Sequence, residues 1–196
     1  LPIQLAPPVH NAWRGFVAFT SREVQMSYVG TVSTPKGPVE SWPIVEHDGD
    51  LWHVAPVYLA PVARADVEGL CDAWGCEVPT SDLVDAIWQA ADVKLSPNLF
   101  FRNPKTFTNM ATLGAYESQR RIIEARLPEQ FEIAVGMCKD FARLPDGRID
   151  LYGWHHLNGE PIEHGATSHN ATYTDYSQGI RLVRRVQLDT TRAVSE

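Results

Sequence analysis

From Phe131 to Ala142 the chain alternates: Phe131, Ile133, Val135, Met137, Lys139 and Phe141 interleave with Glu132, Ala134, Gly136, Cys138, Asp140 and Ala142. A period of two is how a strand with one buried face reads. Pro145-Asp146-Gly147 follows closely. There Pro suits the first central position of a type I turn, and Gly suits the left-handed residue that completes a three-residue loop. Together these features predict an antiparallel hairpin over 131–157 with Leu144 paired to Arg148. That register sets Lys139 opposite Gly153 and Met137 opposite His155, on the face that carries Ile133, Val135, Ile149 and Leu151. A two-residue loop at Asp146-Gly147 would slip the pairing by one and bring Trp154 and His156 to that face instead. The longer loop matches apolar residues with apolar ones.

The preceding sequence reads mainly as helix. Val67, Leu70, Cys71 and Trp74 recur at spacings of three and four over 65–74, with Gly75 placed as a stop. Thr80 or Ser81 caps a second helix whose Leu83, Val84, Ile87, Trp88 and Ala91 form one apolar stripe suited to core packing. Leu113, Tyr116, Ile122 and Ile123 suggest a third helix over 109–126. Thr20-Ser21-Arg22-Glu23 has the spacing of a capping box and predicts a short helix over 21–28. Pro43 to His47 and Leu51 to Val54, joined by Asp48-Gly49-Asp50, predict a hairpin. The expected fold is α+β: one compact domain over 13–190, its helices in the N-terminal two-thirds packed on a mainly antiparallel sheet from the C-terminal third. A Pro-rich extended arm over 1–12 and a tail over 191–196 flank it.

With 196 residues and 44% hydrophobic content, the chain can close a core of its own. A net charge of −7 and the lack of a dense Lys/Arg run argue against a nucleic-acid partner. No apolar run approaches the roughly 20 residues that span a bilayer, so no membrane insertion is expected. A small-molecule or polymeric substrate, neutral or cationic, fits the charge better. Secreted and cytoplasmic locations both fit. Oligomeric state and cofactors stay open. Cys71 and Cys76 could bridge across a helix end at Gly75 or stand as two buried thiols; Cys138 is the odd one of the three.

Polar chemistry is concentrated between Lys139 and Arg181. A lysine on the apolar face of a strand is costly unless paired, and Gly153 opposite leaves room beside it for a partner or ligand. Alone, Lys139 would snorkel out at a sheet edge. It has company, however: Asp140, His155, His156, His164, His169, Asp175, Tyr176, Ser177 and Arg181 all fall within the same stretch. Histidine titrates near neutral pH and serves as acid, base or metal ligand. His169 and Asp175 read as a base with its orienting carboxylate or, with His155, as ligands of one metal.

The combination of Lys139-Asp140, Gly153-Trp154-His155, His169 and Asp175-Tyr-Ser-Gln-Gly-Ile-Arg181 resembles a family of uncharacterised bacterial proteins. The resemblance covers about 70–183 and implies no established activity. It favours Lys139, His155, His169 and Asp175 over Cys138 as reacting groups. Ser168-His169 with a downstream Asp175 is also distantly similar to the Ser-x-His…Asp pattern of zinc D,D-carboxypeptidases and related murein peptidases, with the spacing off by a residue. Gly136-Met-Cys138 followed by Asp140-Phe-Ala142 is similar to transglutaminase-like cysteine enzymes, in which the Cys opens a helix.

The expectation that follows is a hydrolase acting on an amide or related bond, in the narrower form a cell-wall peptide. His169 would be general base or acid with Asp175 holding its ring, and His155 a second acid–base group. Lys139 would stabilise developing negative charge. Asp140 would set the charge of Lys139, and Arg181 would hold a substrate carboxylate; Trp154, Tyr176 and Ser177 would complete the substrate-binding set. Two alternatives stand beside it. One is a carbohydrate-binding module using exposed Tyr152, Trp154 and Tyr176; the other is a transglutaminase-like enzyme using Cys138.

Overall fold

The computed structural model describes residues 37–99, 110–165 and 169–187. The expected arm, the helix over 21–28 and the tail lie outside them.

The chain first makes the expected hairpin, β1 (Ile44–His47) and β2 (Asp50–Val54). His47 pairs with Asp50, so the loop is Asp48-Gly49, and both residues have positive φ (52° and 79°), as a type I′ turn requires. Helix α1 (Val67–Ala73) buries Val67, Leu70 and Cys71, and Gly75 at φ +59° ends it. Helix α2 (Ser81–Ala90) is capped by the Thr80 hydroxyl, which accepts from the Leu83 N–H at 3.2 Å. Its predicted stripe of Leu83, Val84, Ile87 and Trp88 is buried. After β3 (Val93–Lys94) comes α3 (Leu113–Arg126), capped in the same way by Thr112.

The predicted hairpin is present with its predicted register, but its first strand is shorter. Leu144 N–H donates to Arg148 O, Phe141 pairs with Leu151, and Asp140 pairs with Tyr152, in β5 (Lys139–Arg143) and β6 (Ile149–Gly153). The alternation upstream of Lys139 belongs to a separate strand, β4 (Ala134–Val135), parallel to β3. Gly136 breaks the run: its φ is +82°, and the Leu95 carbonyl lies where a side chain would start. Met137 therefore does not pair with His155, and β6 ends at Gly153.

Among the described residues the strands form three sheets in place of the expected single C-terminal one. β1-β2-β9 is antiparallel and draws two strands from the N-terminal half, with β9 (Val183–Arg185) returning to β2. β3 and β4 form a parallel pair. The third sheet has the order β7-β6-β5-β8, where β7 (Glu163–His164) is antiparallel to β6 and β8 (Gln178–Gly179) is parallel to β5. α2 joins them. Its Leu83 and Ile87 pack with Val54, Val135 and Val183, and a neighbouring cluster joins α1 to Phe141, Leu151, Ile180 and Leu182. None of the described helices is long and apolar enough to cross a membrane.

Candidate functional site

The last residues of β6 and the two that follow organise the polar side chains. Gly153 (φ +78°) and Trp154 (φ +51°) are both left-handed, a conformation that is uncommon for a bulky residue. Two such residues in succession turn the chain out of the strand and redirect the side chains after it. The Trp154 ring turns inward, is 2% exposed, donates from Nε1 to the Gly136 carbonyl at 2.9 Å and packs edge-on to Tyr176. His155 lies over the bare backbone of Gly153, where a Cβ would meet its Cε1 at 3.2 Å.

His155 is 4% exposed, and its Nε2 lies 2.7 Å from Oδ1 of Asp85 on α2. The Tyr152 hydroxyl donates to the other oxygen, Oδ2, at 2.9 Å. Burial and the neighbouring Asp85 carboxylate push the Tyr152 hydroxyl up to about 12, so it stays a donor at neutral pH. The imidazole also packs beside Trp88, ring centres 5.5 Å apart. Asp85 itself is 45% exposed. The usual order of a catalytic dyad, with an accessible histidine held by a buried carboxylate, is thus inverted. The carboxylate faces solvent, and two rigid donors hold it from below.

Lys139 has the partner that its position demanded. Continuing the β5–β6 register by one residue sets Gly153 opposite Lys139, and Gly153 pairs on its other side with Glu163. With no side chain between them, Lys139 Nζ reaches Glu163 Oε1 at 3.0 Å and lies 5.9 Å from the centre of the Trp154 ring. Tyr152, Gly153, Trp154 and His155 thus touch both polar pairs. Sequence reasoning missed Asp85 and Glu163. Asp85 lies 70 residues from His155 on a helix whose pattern signals packing, and nothing local marks it.

The other predicted site residues separate from this centre. His169 is exposed and stacks on Tyr173 with ring centres 4.0 Å apart, while Asp175 is buried and accepts from the Ser177 N–H at 2.8 Å and the Ser177 hydroxyl at 2.7 Å. No hydrogen bond joins His169 to Asp175 among the described residues; Tyr173 sits between them, its hydroxyl 3.4 Å from Asp175 Oδ2. Trp154 and Tyr176 are buried rather than exposed, which removes the aromatic platform expected for sugar stacking, and the Tyr152 hydroxyl is taken by Asp85. No group of three His, Cys, Asp or Glu among the described residues could hold a metal ion.

Arg181 and Asp140 belong to the core. Arg181 is 1% exposed; its guanidinium donates to the carbonyls of Ala55 and Ala134 and lies 4.0 Å from the centre of the Tyr58 ring. Its backbone N–H donates to Asp140 Oδ1 at 3.2 Å. Fully buried and with both terminal nitrogens bound to backbone carbonyls, Arg181 is no clamp for a substrate carboxylate, and Asp140 answers to Arg181 and Tyr58. Burial pushes the Asp140 carboxyl up to about 7, against the opposing pull of Arg181 and the Tyr58 hydroxyl. A folded-state value above the ordinary 3.8 means that the native state binds the extra proton. That contribution is complete below about pH 4 and is lost as pH rises through about 7. Thermal stability is therefore expected to fall across that window, and Asp140→Asn should flatten this part of the profile. An unchanged slope in the variant would rule Asp140 out as its source.

All three cysteines are free and buried. Burial raises the Cys138 thiol well above its ordinary value, and the residue leads into strand β5, with no helix beginning there. Both features oppose a nucleophilic role.

No family model, curated protein or solved structure matches this chain. The reading of the site rests on its own geometry.

Proposed function

We propose that this chain is a hydrolase that cleaves an amide or related bond by acid–base chemistry centred on Asp85 and His155. The reading is carried by the convergence of the Tyr152 hydroxyl and the His155 ring on the two oxygens of one half-exposed carboxylate. Orienting a carboxylate this closely fixes its free lone pairs toward solvent, where a water or substrate N–H can meet them. In this reading Asp85 takes the proton from the attacking water and returns it to the leaving nitrogen. His155 and Tyr152 hold the carboxylate in place through hydrogen bonds to its two oxygens. Lys139, held at the same strand end by Glu163 and Trp154, is the cation assigned to receive negative charge on the carbonyl oxygen. An amide, with a cell-wall peptide as its narrower form, is the substrate class in which one carboxylate has both a water proton to take and a leaving nitrogen to return it to.

The test is turnover on a panel of chromogenic anilides and murein-derived peptides. Asp85→Asn is expected to lower kcat by roughly a hundredfold or more. Its melting temperature should fall only modestly, because the side chain is half exposed, its amide oxygen still accepts from Tyr152, and His155 can accept from the amide NH2 in its other tautomer. His169→Ala should leave kcat within a few-fold of the parent. A parent chain inert on the whole panel, or a folded Asp85→Asn variant with parental kcat, would overturn the proposal.

A further inference from the structure

Helix α1 closes with two nested backbone bonds. The Cys76 N–H donates to the Cys71 carbonyl at 2.9 Å, and the Gly75 N–H donates to the Asp72 carbonyl at 3.1 Å, with Gly75 left-handed at φ +59°. This is a Schellman end, in which the outer bond joins the third-from-last helical residue to the second residue past the cap, and the side chains at those two positions pack on each other. Here both positions are cysteine. The outer bond holds the two Cα atoms less than about 7 Å apart, the limit beyond which a disulfide cannot close without backbone movement. Both side chains lie in the same buried cluster, with Leu70 and Leu182. Burial pushes the Cys71 thiol up to about 12, with the charge of a Cys76 thiolate as the next cause.

We propose that Cys71 and Cys76 are a disulfide-forming pair, oxidised by a low-molecular-weight disulfide such as oxidised glutathione to staple the C-terminal end of α1. Cys76, the more exposed of the two, attacks one sulfur of the oxidant as its thiolate, forming a mixed disulfide and releasing one glutathione thiolate. The Cys71 thiolate then displaces the second glutathione. The protein loses two thiol protons and two electrons, and the oxidant becomes two molecules of reduced glutathione. Because both thiols are buried and weakly acidic, exchange runs through opening of the helix end. The staple would fix the segment that runs into α2, where Glu77 N–H already donates to the Val183 carbonyl at 2.7 Å.

The experiment is incubation of the full chain with oxidised glutathione at mildly alkaline pH in sub-denaturing urea. Thiol titration in full denaturant, intact mass and thermal melting follow. Titratable thiols are expected to fall from three to one, with the mass lower by two hydrogens, no glutathione retained and the melting temperature higher by roughly 5 °C. In Cys71→Ser the same treatment should leave Cys76 as a glutathione adduct or untouched. The thiol count on the parent does not depend on any variant folding. Three thiols surviving the incubation, a glutathione adduct that never resolves, or a link that uses Cys138 would overturn the proposal.

Discussion

Gly136→Ala is expected to abolish folding or to lower stability by more than about 4 kcal/mol, a loss that only a few mechanisms can produce. The added methyl would start 1.9 Å from the Leu95 carbonyl oxygen and 2.9 Å from its carbon. Relief by moving Leu95 is blocked, because its N–H donates to Val135 O at 3.0 Å in continuation of the β3–β4 pair and its side chain is buried. Moving Gly136 instead would pull its carbonyl from the Trp154 indole and disturb the strand end that aims His155. Gly49→Ala supplies the control. Its φ of +79° is nearly the same, but no atom lies within 4 Å of the new methyl, so only the backbone strain of about 1 kcal/mol should appear. Urea midpoints for the two variants separate contact from conformation. A Gly136→Ala protein about as stable as Gly49→Ala would show that β3 does not approach the chain as described.

The same glycine explains where the sequence was readable and where it was not. The register of β5 on β6 is fixed by Pro145-Asp146-Gly147 and by the match of Phe141 with Leu151, both local features, and it could be read without a structure. That register also sets Gly153 opposite Lys139. The break at Gly136 could not be read the same way. Alternation runs through it unperturbed, and the reason for the glycine is the Leu95 carbonyl some forty positions earlier, just past a strand of two residues. Asp85 was invisible for a related reason: it sits on a helix whose apolar stripe signals packing, and its role comes only from α2 lying against the end of β6. The density of His, Asp and Arg after Lys139 misled in the other direction. It mixes two populations that sequence spacing cannot separate. Lys139 and His155 gather at the strand end, whereas Asp140, Asp175, Ser177 and Arg181 are buried groups held by backbone and near neighbours.

Arg181 provides the sharpest separation of those populations. A substrate clamp would sit in solvent, and its loss would raise KM while leaving the fold intact. The observed Arg181 is instead a buried cation that ties the segment after β2, through Ala55, to β4, through Ala134, and stacks on Tyr58. Arg181→Ala leaves two buried carbonyls without donors, opens a void under Tyr58 and removes the charge that opposes protonation of Asp140. Uncompensated buried polar groups of this kind cost roughly 3–5 kcal/mol in all. That is a large share of the roughly 5–15 kcal/mol by which a domain is stable, so the variant should unfold at far lower urea or fail to accumulate. Arg181→Lys should recover less than half of the loss, since one ammonium cannot span two carbonyls that a planar guanidinium bridges and cannot stack on the ring in the same way. Because charge is retained in the lysine variant, the comparison also isolates geometry from electrostatics. An Arg181→Ala protein with a parental urea midpoint would return the residue to the substrate-binding role, and kinetics on that protein would then show the loss in KM.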